Sequence, residues 1–291
     1  MSPRTATLIG LTAILMWSLL AVLTVATGAV PPFQLAAMTF AIGALVAALG
    51  WIGRPAAMRA LRQPPVVWLV GVGGLFGYHA LYFVALRLAP PAEAGLLNYL
   101  WPLLIVLFSA LLPGERLQPH HVIGALFGLA GTVLLLWGRA AVEMAPAHVA
   151  GLLAAFVAAF VWAGYSVLSR RLKAVPTDAV AGFCMATAML AGLVHLAIET
   201  TVWPANASQW AAVVALGIGP VGAAFYAWDI GMKRGDIRVL GAASYATPLL
   251  STGFLILAGD AQASANIAFA AALIAGGGLL AARDMLGTKR A

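Results

Sequence analysis

The chain has 291 residues and a net charge of +7, with 63% hydrophobic residues, only 9% charged ones and a mean hydropathy of +0.98. An ordinary soluble domain carries about 25% charged residues, so this chain lacks the charge to coat a water-exposed surface of its size. The same excess of apolar surface excludes a disordered chain and a nucleic-acid-binding domain, and one cysteine, Cys184, excludes an intramolecular disulfide and a thiolate metal cage.

A bilayer core about 30 Å thick takes about 20 apolar residues of helix at 1.5 Å per residue. Ten such stretches follow one another. The first, Thr5–Ala26, holds Trp17 midway; it is longer than the apolar core of a secretory leader and reads as a span. Phe33–Ile52 is the second. The third, Val66–Leu86, runs through Gly71, Gly73, Gly74 and Gly77 to Tyr78, His79 and Tyr82, with 78 and 82 on one face. The fourth, Ala92–Leu112, holds Glu93, Asn98, Tyr99, Trp101 and Pro102, and ends at Pro113-Gly114-Glu115-Arg116. His121–Trp137 is the fifth; Ala147–Leu168, with Trp162 and Tyr165, is the sixth; Ala179–Ile198, with His195, is the seventh. The eighth, Gln209–Ile230, holds Gly217, Gly219, Tyr226 and Asp229; the ninth, Val239–Ala258, holds Tyr245 and Pro248; Ala265–Ala282 is the tenth. No connection is long enough for a soluble domain, so residues 1–291 read as one all-α integral membrane domain.

Lys and Arg favour cytoplasmic loops. With both termini in the cytoplasm, Arg4, Arg54, Arg59, Arg62, Arg116, Arg170, Arg171, Lys173, Lys233, Arg234, Arg238, Arg283, Lys289 and Arg290 are inside, and only Arg87 and Arg139 are outside. The basic excess is therefore a topological anchor on anionic lipid.

Shifted on itself by 146 residues, the chain matches without a gap from Trp68 to Leu112. Gly71 meets Gly217, Tyr99 meets Tyr245, and Pro102-Leu103-Leu104 meets Pro248-Leu249-Leu250. The halves, 1–140 and 147–286, hold five spans each. An odd number makes them inverted repeats, a layout that places a substrate site near midplane between them.

The run Asn98-Tyr99-Leu100-Trp101-Pro102-Leu103-Leu104, then Pro113-Gly114-Glu115-Arg116-Leu117, then Gly124 and Gly131, with Trp17 in the first span, resembles the ten-span EamA-type members of the drug/metabolite transporter superfamily. Within that group the chain looks similar to the YddG-type aromatic amino acid exporters of the bacterial inner membrane. The second half departs from the pattern, since Gly259-Asp260-Ala261 lacks the basic residue. The resemblance implies a central cavity ringed by spans 1, 3, 4, 6, 8 and 9. It implies a secondary transporter working by alternating access, with the substrate held by Trp17, Tyr78, His79, Tyr82, Asn98, Tyr99, Trp101, Trp162, Tyr165, Tyr226 and Tyr245.

Pro102 and Pro248, about midway along their spans, are natural sites for helix breaks. Glu115 is a candidate clasp at a cytoplasmic span end. Asp229, one turn from Lys233, is a candidate interfacial ion pair. Proton coupling would have His79 or Asp229 to work with. No Lys or Arg lies mid-membrane, which disfavours phosphate and organic-anion substrates; a neutral or zwitterionic metabolite such as an amino acid fits better. Nucleosides and cationic drugs are the alternative substrates, and an intramembrane enzyme or a channel is the alternative class. No nucleophile–base constellation, metal-ligand spacing or phosphate-binding loop points to an enzyme or a cofactor, and His120-His121 is too little for a zinc site.

Overall fold

The computed structural model describes residues 1–137, 148–257 and 264–286. Arg139, Gly259, Asp260, Ala261, Lys289 and Arg290 lie outside the described residues. Every described element is helical. We number the main rods α1 (Pro3–Ala26), α2 (Pro32–Leu49), α3 (Pro65–Leu88), α4 (Pro91–Asn98 and Trp101–Ser109), α5 (Pro119–Trp137), α6 (His148–Arg171), α7 (Ala179–Ile198), α8 (Ala207–Arg234), α9 (Ile237–Ala243 and Ala246–Leu257) and α10 (Ala265–Ala281). By length and composition α1, α2, α3, α6, α7 and α8 can each cross a membrane.

The helix starts follow local chemistry. Proline occupies the first turn of α1, α2, α3 and α4, where its missing N–H is not needed. Asn206, Asp236 and Ser264 cap α8, α9 and α10 through their side-chain oxygens.

The interruptions are equally physical. A proline has no N–H for the carbonyl four residues back, and its ring crowds that carbonyl. Four before Pro102 is Asn98, and four before Pro248 is Ser244. The rods break there, at Tyr99–Leu100 in α4 and at Ser244–Tyr245 in α9. The breaks thus lie one turn ahead of the two prolines, which sit inside the second piece of each rod. In α3 a π turn spans Gly73–Gly77, and in α8 another spans Gly219–Ala223. These two turns are offset by 146 residues.

The rods pack α1 against α8, α3 against α6, α2 against α7 and α8, α4 against α6 and α9, and α5 against α10. Glycines allow the closest approaches. A Cβ at Gly10 of α1 would stand 3.0 Å from the Gly231 backbone of α8, and one at Gly124 of α5 would stand 2.5 Å from the Gly277 carbonyl of α10. The main core gathers aromatic residues of α1, α2, α3, α4, α6 and α8. A second core joins Val106, Ala125, Ala242, Tyr245 and Ile274 of α4, α5, α9 and α10. Outside, Leu8, Leu193, Leu196, Phe269 and Leu279 are exposed, as a lipid-facing surface requires.

Candidate substrate site

Four tryptophans meet at the centre. α1 is itself interrupted at Ser18–Leu19, and Trp17 ends its first piece, Pro3–Trp17; Trp101 opens the second piece of α4, Trp162 is on α6 and Trp228 on α8. Trp17 lies 6.5, 5.6 and 5.0 Å, centroid to centroid, from Trp101, Trp162 and Trp228, and Trp101 lies 6.3 and 6.0 Å from the latter two. Most of these contacts are edge-on or tilted, the arrangement that ring quadrupoles favour. All four are buried.

Two indole N–H groups have partners. Trp17 Nε1 donates to the Pro220 carbonyl, in the α8 π turn, at 3.0 Å, and Trp228 Nε1 donates to Ser166 Oγ at 3.0 Å. A widened turn leaves a carbonyl free for a side chain, and here that side chain comes from the other half of the chain. Trp228 and Phe225 stood outside our sequence-based set, as did Phe40, which stacks on Phe225 at 5.5 Å. Phe40 belongs to α2, a rod the resemblance puts at the periphery.

Above this plug, toward the Arg87 end of α3, lie Tyr78, His79, Tyr82 and Tyr99, all partly exposed. Tyr78 stacks on Tyr82 at 5.9 Å, contacts Trp162 at 5.1 Å and meets His79 edge-on. Asn98 is buried and its Nδ2 donates to Tyr78 Oη at 3.0 Å. His79 Nδ1 lies 2.7 Å from the Leu75 carbonyl, in the α3 π turn. A carbonyl only accepts, so Nδ1 carries the proton and Nε2 presents a lone pair.

The remaining expected residues divide. Tyr165 points the other way along α6. With Gly71, Ser169, Asp229 and Lys233 it lines a cavity of about 10 Å³, room for one water, toward the Glu115 end. Tyr226 is half-buried, and its hydroxyl has no partner among the described residues. Tyr245 is not with the tryptophans: its ring fills the space over Gly128 in the second core. It lies in the break itself, and there its ring turns to α5.

Ion pairs hold both ends. Glu115 meets Arg170 at 2.7 Å and Arg238 at 3.7 Å, and Arg238 meets Asp236 at 3.1 Å. Arg170 also donates to the Gly235 carbonyl, and Arg238 to that of Arg116. The α4–α5 connection is thereby tied to α6 and to the α8–α9 connection. Burial works against the Asp236 carboxylate. The hydrogen bonds and charge of Arg238, with the Val239 and Arg238 amides, outweigh it and hold that carboxyl below the usual range. Deeper, Asp229 pairs with Lys233 at 2.9 Å and accepts from Thr177 Oγ1 at 2.7 Å, while Lys233 donates to the Val175 carbonyl at 2.9 Å. At the opposite end Glu199 accepts from the Phe33 and Gln34 amides that begin α2, and meets Arg87 at 3.2 Å and His195 at 3.0 Å. Glu199 follows an apolar run and nothing in the sequence flagged it.

His120, His121 and Asp284 place one candidate ligand atom each within 4.8 Å of one another. His121 Nδ1, however, accepts the Gln118 amide at 3.0 Å, so its Nε2 keeps a proton and cannot ligate. Two ready ligands remain, short of a structural metal set.

A bundle of apolar rods, with an aromatic centre drawn from both halves and polar ties at its two ends, is a multi-pass membrane protein. The chain belongs to the EamA-like transporter family, whose model matches it twice, over residues 4–137 and 149–283. It is similar to the aromatic amino acid exporter YddG of Ancylobacter novellus, at 61% identity over 97% of this chain and 98% of that one. It is also similar to the aromatic amino acid exporter YddG of Escherichia coli, at 26% identity over 96% and 97%. A third relative, the pseudopaline exporter CntI of Pseudomonas aeruginosa, is 30% identical over 66% of each chain. A solved crystal structure at 59% identity superimposes with a TM-score of 0.93, covering 98% of this chain and all of the other.

Proposed function

We propose that this chain exports aromatic and other neutral amino acids across the bacterial inner membrane as a secondary transporter. It crosses the membrane ten times with both termini in the cytoplasm, and its halves, 1–140 and 147–286, are inverted repeats. The π turns at one common offset support the repeat. So does part of the rod packing: exchanging the halves turns α1–α8 into α6–α3 and leaves α2–α7, α4–α9 and α5–α10 unchanged. Gly71 against Phe183 of α7, and Gly217 against Ile42 of α2, follow the same exchange.

The observation that carries the reading is the aromatic centre with its partly exposed tyrosine rim, on rods free of Lys and Arg at that depth. Rings recognise rings through edge and face contacts, and an uncharged site suits a substrate that brings both charges itself. A cationic-drug reading has less support, because Asp229, the buried acid of α8, is already neutralised by Lys233. In this reading the Glu115–Arg170–Arg238 clasp closes the cytoplasmic mouth while the tyrosine rim opens outward, and alternation requires the clasp to part. Counterflow in proteoliposomes, run over labelled amino acids, nucleosides and cationic drugs with and without a pH gradient, tests it. Saturable exchange of phenylalanine and tryptophan is expected. Exchange confined to nucleosides or drugs refutes the assignment, and a gradient requirement adds proton coupling to it.

A further inference from the structure

We infer that Asn98, at the break in α4, receives the ammonium group of the substrate. The inference rests on the reading of this chain as an amino acid exporter and adds the residue that distinguishes an amine.

Two acceptors converge at this residue. Asn98 is 4% exposed and spends its Nδ2 on Tyr78, while its Oδ1 has no hydrogen-bond partner among the described residues. A buried carbonyl oxygen without a donor is costly. The second acceptor is the Asn98 backbone carbonyl, because the residue that would donate to it in a regular helix is Pro102, which has no N–H. Both lie at the C-terminal end of the Pro91–Asn98 segment, where helix carbonyls make the potential negative. A broken helix whose open end meets a charged substrate group is a recurrent device in transporters.

The other half lacks it. Ser244, the equivalent of Asn98 at the 146-residue offset, donates its hydroxyl to the Leu240 carbonyl at 2.7 Å, and its own carbonyl accepts from the Thr247 amide at 3.1 Å. At Ser244 the hydroxyl and the carbonyl are thus both engaged, although Tyr245 Oη and Thr247 Oγ1 beside it have no hydrogen-bond partner among the described residues. The break in α4 is left with acceptors to fill, beside the Tyr78–Tyr82 stack whose ring faces also attract a cation. A neutral amide suits a zwitterion: it takes the ammonium without adding a fixed negative charge that the substrate carboxylate would then meet.

The test uses the full chain in proteoliposomes, with counterflow of labelled phenylalanine and competition by two analogues. Phenethylamine lacks the carboxylate, and phenylpropionate lacks the ammonium. Asn98→Leu keeps the side-chain volume and removes the acceptor. A hydrogen bond to a charged group contributes enough for a tenfold or larger change, so phenylalanine and phenethylamine are expected to weaken about tenfold or more while phenylpropionate holds. Asn98→Asp is expected to raise the phenethylamine-to-phenylpropionate preference, and it covers the case in which the leucine variant does not fold. Equal weakening of all three compounds would mean that Asn98 only supports Tyr78. Selective loss of phenylpropionate would mean that the amide presents its N–H groups. Either result overturns the inference. Failure of the unaltered protein to exchange any amino acid is a separate outcome, which removes the functional reading first and the inference with it.

Discussion

The Asp229–Lys233 pair offers a sharp energetic test. The two residues sit one turn apart on α8, with side chains 3% and 5% exposed and charged atoms 2.9 Å apart. At an effective dielectric of about 20, their attraction at that distance is about 6 kcal/mol. Burial of both groups offsets most of it, so the net value of the pair is small. Removing one partner is different, because it leaves a charge buried alone, at about 3–5 kcal/mol. Lys233→Met and Asp229→Leu should therefore each lower the melting temperature strongly, by roughly 6–10 °C at about 2 °C per kcal/mol. The double variant should recover most of this and end about 1–3 kcal/mol below the unaltered protein, the cost of the Val175 carbonyl losing its Lys233 donor.

The assay is thermal unfolding of the detergent-solubilised protein, read as a double-mutant cycle. A coupling of about 3 kcal/mol or more is expected. Additive losses would refute the reasoning, since they would mean that water or lipid headgroups already screen each charge. The pair also ties α8 to the α6–α7 connection, since Thr177 donates to Asp229 and Lys233 donates to the Val175 carbonyl.

Much of the architecture was legible because membrane insertion imposes simple rules. Run length pointed to the helical rods, while the π turns at Gly73–Gly77 and Gly219–Ala223, which no sequence pattern signalled, fall at the same 146-residue offset as the matched glycines. The proline positions pointed to the breaks, though one turn too far along: the steric and hydrogen-bond defect of a proline falls on the carbonyl four residues earlier. The candidate site was partly legible. Trp17, Tyr78, His79, Tyr82, Trp101 and Trp162 gather because mid-span aromatics on inner rods have few other places to go. Tyr245 was misplaced because 3.6-residue periodicity restarts after a break, and its phase past Ser244 cannot be read from the first piece of α9. Phe40 escaped for another reason, since α2 reaches the centre through the gap that Gly217 and Gly222 leave in α8. Glu199 caps a helix from 165 residues away in sequence, a partnership no local pattern encodes.

Topology is checked by introducing cysteines against the buried Cys184 background: position 205 should react with an impermeant thiol reagent only from outside, and 57 and 172 only from inside. In the aromatic centre, Tyr78→Ala and Tyr82→Ala should weaken phenylalanine binding by about 0.5–1.5 kcal/mol beyond lost burial. Trp17→Ala, Trp101→Ala and Trp162→Ala should in addition destabilise by about 3–5 kcal/mol, so intact affinity in folded alanine variants would make these rings packing alone. Asp236, held below the usual carboxylate range, contributes stability above its unfolded value of about 4, lost as pH falls through the lower folded value; the melting-temperature gap to Asp236→Asn should be constant from pH 8 to about pH 5 and close below about pH 4. His79 stands in the same tyrosine rim. Its Nδ1 proton is committed to the Leu75 carbonyl, which leaves Nε2 as an acceptor beside Tyr78 and Phe40. An acceptor at that point suits an N–H of the substrate, such as an indole, and repels a carboxylate. His79→Gln keeps hydrogen-bonding capacity and removes titration, so exchange should persist in part, with tryptophan losing more than phenylalanine and with the response to a pH gradient unchanged. Loss of the gradient response alone would make His79 a proton carrier instead, and unchanged exchange and selectivity would remove it from both roles.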